Sequence, residues 1–360
     1  MTIGSASTWS LAHTIASVGL ALMAIGHIAV PAQAQSSPEV WRQQGWEKTD
    51  FSKTTISWHE IQSGGPPKDG IPSIDDPKFI DVNRNTTVKD TEPVIGLEIN
   101  GDARAYPLRI LMWHEIVNDT VGGVPVAVTY CPLCNAAIVF ERQTAHGLLD
   151  FGTTGKLRNS DLVMYDRQTQ SWWQQYTGKA IVGALTNTKL HLVPSRLEAF
   201  SLFRERNPHG RLLIPNDSAS RAYGRNPYEG YDTSAIPFLY RGEFRAGIDP
   251  MKRVVVVREG DRPLAVLMGL LRKTGAISKG DVIIRWRSGQ NSALDHASIA
   301  NGRDVGNVVV QRRSADGSLI DLPYDVTFAF VFHAFHPEGE IIQSCASNDG
   351  DTTCSQALLD

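Results

Sequence analysis

Two cysteines separated by two residues, Cys131 and Cys134 in a Cys-Pro-Leu-Cys run, are the groups of this chain best suited to chemistry. A pair at this spacing can close a small disulfide ring or chelate one metal ion. Proline between them restricts the turn. The backbone N–H groups that follow can point at the first sulfur and lower its pKa, making it a better nucleophile or ligand. Thiol–disulfide oxidoreductases and half-sites for zinc or copper share the spacing. Upstream stand His114 and Glu115. A His-Glu pair on a helix suggests a zincin, but that motif needs a second histidine at position 118. Asn118 stands there, which excludes a metalloprotease of that type. His114 could still fold back toward Cys131 as a third metal ligand or as a base, with Glu115 beside it as a further candidate catalytic group. A lone histidine in such a place more often packs or caps a helix.

Other polar groupings could bind a substrate. Lys156-Leu-Arg158-Asn159-Ser160-Asp161 combines two cations with three small polar side chains, as a loop for a polar or anionic ligand would. The preceding GTTGK superficially suggests a phosphate loop, yet its glycines are too close and no Ser or Thr follows the Lys. Arg221 to Asp232, with Tyr223, Asn226 and Tyr228, reads equally well as a binding rim or a well-tied structural loop. Asp69, Asp75 and Asp76 could line a site, although aspartates among prolines and glycines more often cap turns. No G-x-S-x-G occurs, so a serine hydrolase has no support.

The elements that must position these groups are short. GGPPKDGIPSIDDPKF (Gly64 to Phe79) must be a loop. VIGLEI and ARAYPL flank an Asn100-Gly101-Asp102 turn and read as a hairpin. LRILMWHEIVND has apolar residues at helical spacing and predicts a short helix, ended by Gly122-Gly123. VPVAVTY is a β-branched strand running straight into Cys131, and AAIVFER follows as another. LVMYDR and SWWQQYT continue a meander. A second segment repeats the plan: RVVVVR, a Gly260-Asp261 turn, RPLAVLMGLLRKTGAI and VIIRWRSGQNSALD. Twenty-nine residues separate Asp102 from Cys131, and 27 separate Asp261 from Ser288. The alignment suggests an internal duplication of a strand-turn-strand-helix-strand unit. The second copy carries Lys273-Thr274 and Ser288-Gly-Gln-Asn where the first carries the His-Glu pair and the cysteines. The fold class expected is β-rich α+β, short-strand meanders with a few short helices.

Composition sets the setting. The formal net charge is −3 and no long basic run occurs, which argues against nucleic acid as a partner. No Asp, Glu, Lys or Arg precedes Glu39, and an apolar run from Ile15 to Val30 leads to Ala32-Gln33-Ala34. That pattern predicts a signal peptide over 1–34, cleaved near Ala34, and a periplasmic or secreted protein with no stable membrane span afterwards. Its n-region departs from the usual pattern in having no Lys or Arg. In an oxidising compartment thiols pair or bind metal. Cys345 and Cys354, nine apart in a polar stretch, suit a local disulfide. The organisation expected is an extended Pro/Gly-rich segment (35–90), a first β-rich unit carrying the cysteine pair (91–248), a second, degenerate repeat unit (249–340) and a polar C-terminal tail (341–360).

HEIVNDTVGGVPVAVTYCPLCNAAIVFER, FGTTGKLRNSDLVMYDRQTQSWWQQYTGKAIVG and YGRNPYEGYD fall in that order, with GGPPKDGIPSIDDP upstream. Together they resemble the DUF3179 family of exported and cell-surface proteins, over roughly residues 60 to 270 with a weaker echo to about 340. The family is a domain of unknown function, so the resemblance implies no activity; it sets Cys131, Cys134 and His114 on motif positions. Three functions remain open. The first is a centre that binds a soft metal ion, copper or zinc, through Cys131, Cys134 and His114, with a catalytic cleft beside it. The second is a periplasmic thiol–disulfide oxidoreductase, or another enzyme using the same pair. The third is a ligand-binding module with a structural disulfide. The partner is a small molecule or a metal ion in each case.

Overall fold

The computed structural model describes residues 37–258, 263–345 and 352–356. The expected signal peptide and the Gly260-Asp261 turn lie outside the described residues. Strands rich in Val, Ile, Thr and aromatic residues build five sheets of four or five strands. The sheets form a ring that resembles a five-blade propeller. The β-rich expectation with short helices therefore holds.

Two sheets carry the cysteine pair and Asp161, and a third packs against the first. In the first, Ile116–Val121, Val124–Cys131 and Ala136–Glu141 form an antiparallel meander edged by Leu192–Val193. Cys131 closes its strand opposite Ala136, so the Cys-Pro-Leu-Cys turn is the hairpin between two central strands. In the second, Phe151–Arg158 and Asp161–Asp166 form a hairpin whose turn is Asn159 and Ser160, both at positive φ. This corrects the expected polar loop over Lys156 to Asp161: it is strand, two-residue turn, strand, and Asp161 begins the inward strand. The third sheet contains the Pro93–Ile99/Asp102–Pro107 hairpin.

The helix expected over LRILMWHEIVND is shorter than its periodicity suggested. It spans Leu108–His114; Glu115 caps it at φ 58°, and the chain re-enters as the strand Ile116–Val121. Helix Met268–Thr274 ends the same way, with Gly275 as cap at φ 77°. The two units share more than the alignment predicted. In each, a strand, a seven-residue helix and a returning strand complete the hairpin sheet (Arg196–Ala199 to Arg211–Ile214; Tyr324–Phe328 to Glu340–Ile342). The first of these strands pairs antiparallel to the hairpin and the second parallel to it.

The N-terminal segment is tied down throughout. Trp41, Trp46 and Phe51 pack edge-on or tilted around Trp172, with ring centroids 5.0–5.4 Å away. Ile61–Ser63 and Lys78–Asp81 each add an edge strand to a sheet. Residues 64–77 are irregular, as their prolines require, and close over the Phe151–Arg158 strand. A Cβ on Gly155 would meet the Pro66 carbonyl at 1.9 Å, so the GTTGK glycine serves this approach and no phosphate. Asp69 accepts from Tyr165 (2.5 Å) and Asp75 pairs with Arg167, so both fasten the loop rather than line a site.

One hydrophobic cluster runs from Ile74 through Val117 and Val255 to Ile342, across the expected unit boundary at 248/249. The C-terminal stretch is also engaged: Thr352–Gln356 pairs with Gly275–Lys279, and Cys345 is disulfide-bonded to Cys354.

The second unit clamps the cysteine turn. Asn135, at φ 51°, donates through Nδ2 to the Val326 carbonyl (2.7 Å), and the buried Thr327 hydroxyl donates to the Cys134 carbonyl (2.6 Å). Thr327→Val keeps the shape and leaves that buried carbonyl without its donor. Urea denaturation of the metal-free protein should show a loss of about 1–3 kcal/mol; no loss would mean the clamp contributes nothing.

Candidate functional site

The meander and the Asn159–Ser160 hairpin deliver three acidic groups to one point. The Sγ atoms of Cys131 and Cys134 and a carboxylate oxygen of Asp161 all lie within 4.8 Å of one another. Cys131 is 1% exposed, and Cys134 and Asp161 are 0% exposed. Both cysteines are free thiols. Cys131 donates weakly to the Ser160 carbonyl (3.8 Å). Asp161 Oδ2 accepts from Gln174 Nε2 (2.6 Å) and the Tyr176 backbone N–H (2.8 Å). Its Oδ1 is buried without a donor of its own.

Burial dominates the electrostatics. It raises the pKa of Cys131, although the Cys134 thiol pulls the other way, and raises that of Cys134 well above its ordinary value, with Cys131 adding to the rise. Asp161 is pushed up to about 6 by burial, against the N–H of Tyr176 and the amide of Gln174. In the metal-free protein at neutral pH the sulfurs are therefore thiols, and a cation must displace their protons to bind.

Glu115 belongs to the same neighbourhood. The Tyr130 N–H donates to its carbonyl (2.8 Å), which sets it opposite the residue before Cys131. Its side chain lies within the field of Asp161 and Cys131, and burial with the Asp161 charge pushes its pKa up to about 8. Tyr228, half-buried, feels both Glu115 and Cys131.

His114 is placed differently from the expectation. Its Nδ1 lies 2.8 Å from the Pro72 carbonyl, which can only accept, so Nδ1 carries the proton. Its Nε2 then accepts from Tyr223 OH (2.7 Å). Both ring nitrogens are engaged, burial lowers its pKa, and it is absent from the cluster; Asp161 takes the place expected for it. His114 is a tie between the helix end, the proline loop and Tyr223.

The residues expected to bind substrate divide. Arg158 is bound to Glu60 (2.6 Å) and, through Gln174, reaches Asp161. Asn159 and Ser160 form the turn, and Ser160 Oγ donates to the Phe238 carbonyl (2.5 Å). Asn226 is buried, donating to the His296 carbonyl (3.3 Å) and accepting from the Tyr228 N–H (2.8 Å), so it shapes its loop. Tyr231 OH donates to the Leu133 carbonyl inside the cysteine turn (3.0 Å). The 223–239 segment thus straps over the centre. A cleft of about 890 Å³ lined by Phe335, His336 and Lys279 lies elsewhere and holds none of the expected residues, although Phe335 stacks on Tyr176 (5.0 Å). Gln174 and Tyr176 went unremarked in the sequence; their signal was the alternation in SWWQQYT, which turns Gln174 toward the Asp161 strand.

These features define a β-rich protein with a buried, three-acid centre at the meeting of two hairpins. The chain belongs to the family described as Protein of unknown function (DUF3179), which matches residues 68–339 and so takes in the second unit as well. No curated protein and no solved structure matches it. Among the described residues no helix is long and apolar enough to cross a membrane.

A buried acid whose folded pKa is raised stabilises the fold fully below its unfolded value, and that stability is lost as pH rises through the folded value. For Glu115 the window runs from the ordinary 4.5 to about 8. The metal-free protein should therefore need less urea to unfold at pH 8 than at pH 5, and Glu115→Gln should lessen that difference. Equal pH dependence in the two proteins would show that Glu115 is not held as described.

Proposed function

We propose that Cys131, Cys134 and Asp161 hold a metal ion, and that the ion is zinc. The observation that supports this most is the third acid: a buried hairpin carries a carboxylate to two thiols that a neighbouring hairpin presents. Two soft donors and one hard one suit Zn(II), which takes Cys, His and carboxylate ligands alike; Cu(I) favours sulfur alone. Three protein ligands also leave a fourth position, the arrangement of catalytic rather than closed structural zinc sites. A metal there would act as a Lewis acid on whatever occupied that position. Gln174, Tyr176 and Arg158 orient the carboxylate, while Thr327, Asn135 and Tyr231 hold the cysteine turn.

Thiol–disulfide exchange fits less well. The attacking group must be an accessible thiolate, and both sulfurs are buried with raised pKa values. A structural-disulfide module is equally disfavoured, because the pair is reduced while Cys345 and Cys354 are joined. That second pair suits the oxidising compartment to which the N-terminal segment would direct the chain. The shared order and pairing of the two hairpin sheets support an origin by duplication, the second copy keeping the frame without the acids.

The test is metal content of protein purified without chelator. About one zinc per chain is expected. Stripping it should lower the melting temperature, and added zinc should restore it. Cys131→Ser with Cys134→Ser should abolish both effects. Asp161→Asn, which keeps an oxygen for Tyr176, should weaken zinc binding by about tenfold or more. A wild-type protein that neither carries zinc nor takes it up refutes the reading.

In the metal-free protein both thiols should react with Ellman's reagent only at the rate of unfolding. Rapid reaction of either one in the folded state would return the exchange reading to the front.

A further inference from the structure

Glu115 is held in a way that nothing in the fold requires. The cap of its helix must adopt positive φ, and at the matching cap of the second unit the chain uses glycine, the residue that does so without steric conflict (Gly275, φ 77°). The first unit places a glutamate there, at φ 58°. The side chain is then buried, with Glu115 only 8% exposed, and among the described residues its carboxyl has no hydrogen-bond or ion-pair partner. Strained backbone and an unpaired buried acid both oppose folding, and they coincide at one residue beside the three-acid centre. Glu115 is also not in the group whose ligand atoms lie within 4.8 Å of one another, so it stands beyond the ligand shell.

We propose that Glu115 is the general base of this centre, and that the centre hydrolyses a small neutral or cationic molecule at a carbonyl-type carbon. The inference rests on the metal reading above. In the step, water gives one proton to a Glu115 oxygen, and the water oxygen bonds to the carbon. The proton then passes to the leaving nitrogen or oxygen as its bond to carbon breaks. No electrons are gained or lost. The charge of the site sets the substrate class. Cys131, Cys134, Asp161 and Glu115 are all acids, while the buried arginines on the second unit's side are committed, Arg253 to Asp232 and Arg258 to Asp325. An anionic substrate would meet repulsion from these acids, and each of these arginines already has a carboxylate partner.

The experiment uses the full mature chain loaded with Co(II), whose visible bands report its ligands. Two probes are compared: acetohydroxamic acid, which brings an acidic N–H and O–H to a metal, and azide, which brings no proton to donate. In Glu115→Gln, cobalt uptake and azide binding should match wild type. Acetohydroxamate should bind about tenfold more weakly or worse, the loss of one charge-assisted hydrogen bond. Glu115→Gly should raise the melting temperature of the metal-free protein by about 3 °C or more, because it removes strain and a buried acid together. The inference is overturned if acetohydroxamate binding is unchanged in Glu115→Gln, or if cobalt affinity falls with it, which would make Glu115 a ligand. It is overturned too if wild-type cobalt protein binds neither probe, because the centre then has no open position, or if Glu115→Gly melts lower. Wild-type protein that takes up no cobalt refutes the metal reading itself.

Discussion

Acidic groups taken out of water must stay protonated or find a cation. That constraint governs the middle of this molecule. Two thiols and two carboxyls crowd a region from which solvent is largely excluded, and among the described residues none of the four is ion-paired. An ion of charge +2 would convert the mutual repulsion into attraction and release the protons that burial keeps in place. The surrounding hydrogen bonds are consistent with a site shaped for that exchange. They hold carbonyls, amides and one carboxylate oxygen, and leave Asp161 Oδ1 without a partner and Cys131 Sγ with only a weak contact to the Ser160 carbonyl.

Rigidity comes from how the centre is assembled. Each candidate ligand sits on or beside a turn between paired strands, where register fixes the backbone closely. The cysteine turn is then gripped from two further directions: Thr327 and Asn135 fasten it to the second unit, and Tyr231 fastens it to the overlying strap. The second unit, without reactive groups of its own, thus acts as a wall of the site.

Much of this was legible in the sequence, and what was not has physical causes. The cysteine pair, its strand and the Asn100-Gly101 hairpin could be read because turn chemistry and period-two patterning act locally. Asp161 reads in the sequence only as part of a polar binding loop. Arg158-Asn159-Ser160-Asp161 has the composition of an exposed loop, and only pairing between the flanking strands shows that two of these residues make the turn and the fourth points inward. The ties of His114 are hidden from the sequence because its carbonyl partner lies 42 positions upstream and its tyrosine 109 downstream. Glu115 stands in the sequence as a candidate catalytic carboxylate beside His114; its backbone strain becomes visible only beside Gly275, because both helices end at their caps.

The Thr327–Cys134 hydrogen bond joins residues 193 positions apart, and the Asn135–Val326 bond spans 191. A growing or translocating chain therefore presents both cysteines and Asp161 long before the clamp that shapes their turn exists. Metal met early would encounter loose, exposed thiols, open to oxidation and to whichever soft ion is most abundant. Metal met late would encounter a finished and selective cage. The order of synthesis thus links the choice of ion to the place where the last third of the chain folds. For a chain threaded unfolded across a membrane, that place is the far side, and the metal supply that counts is the one found there.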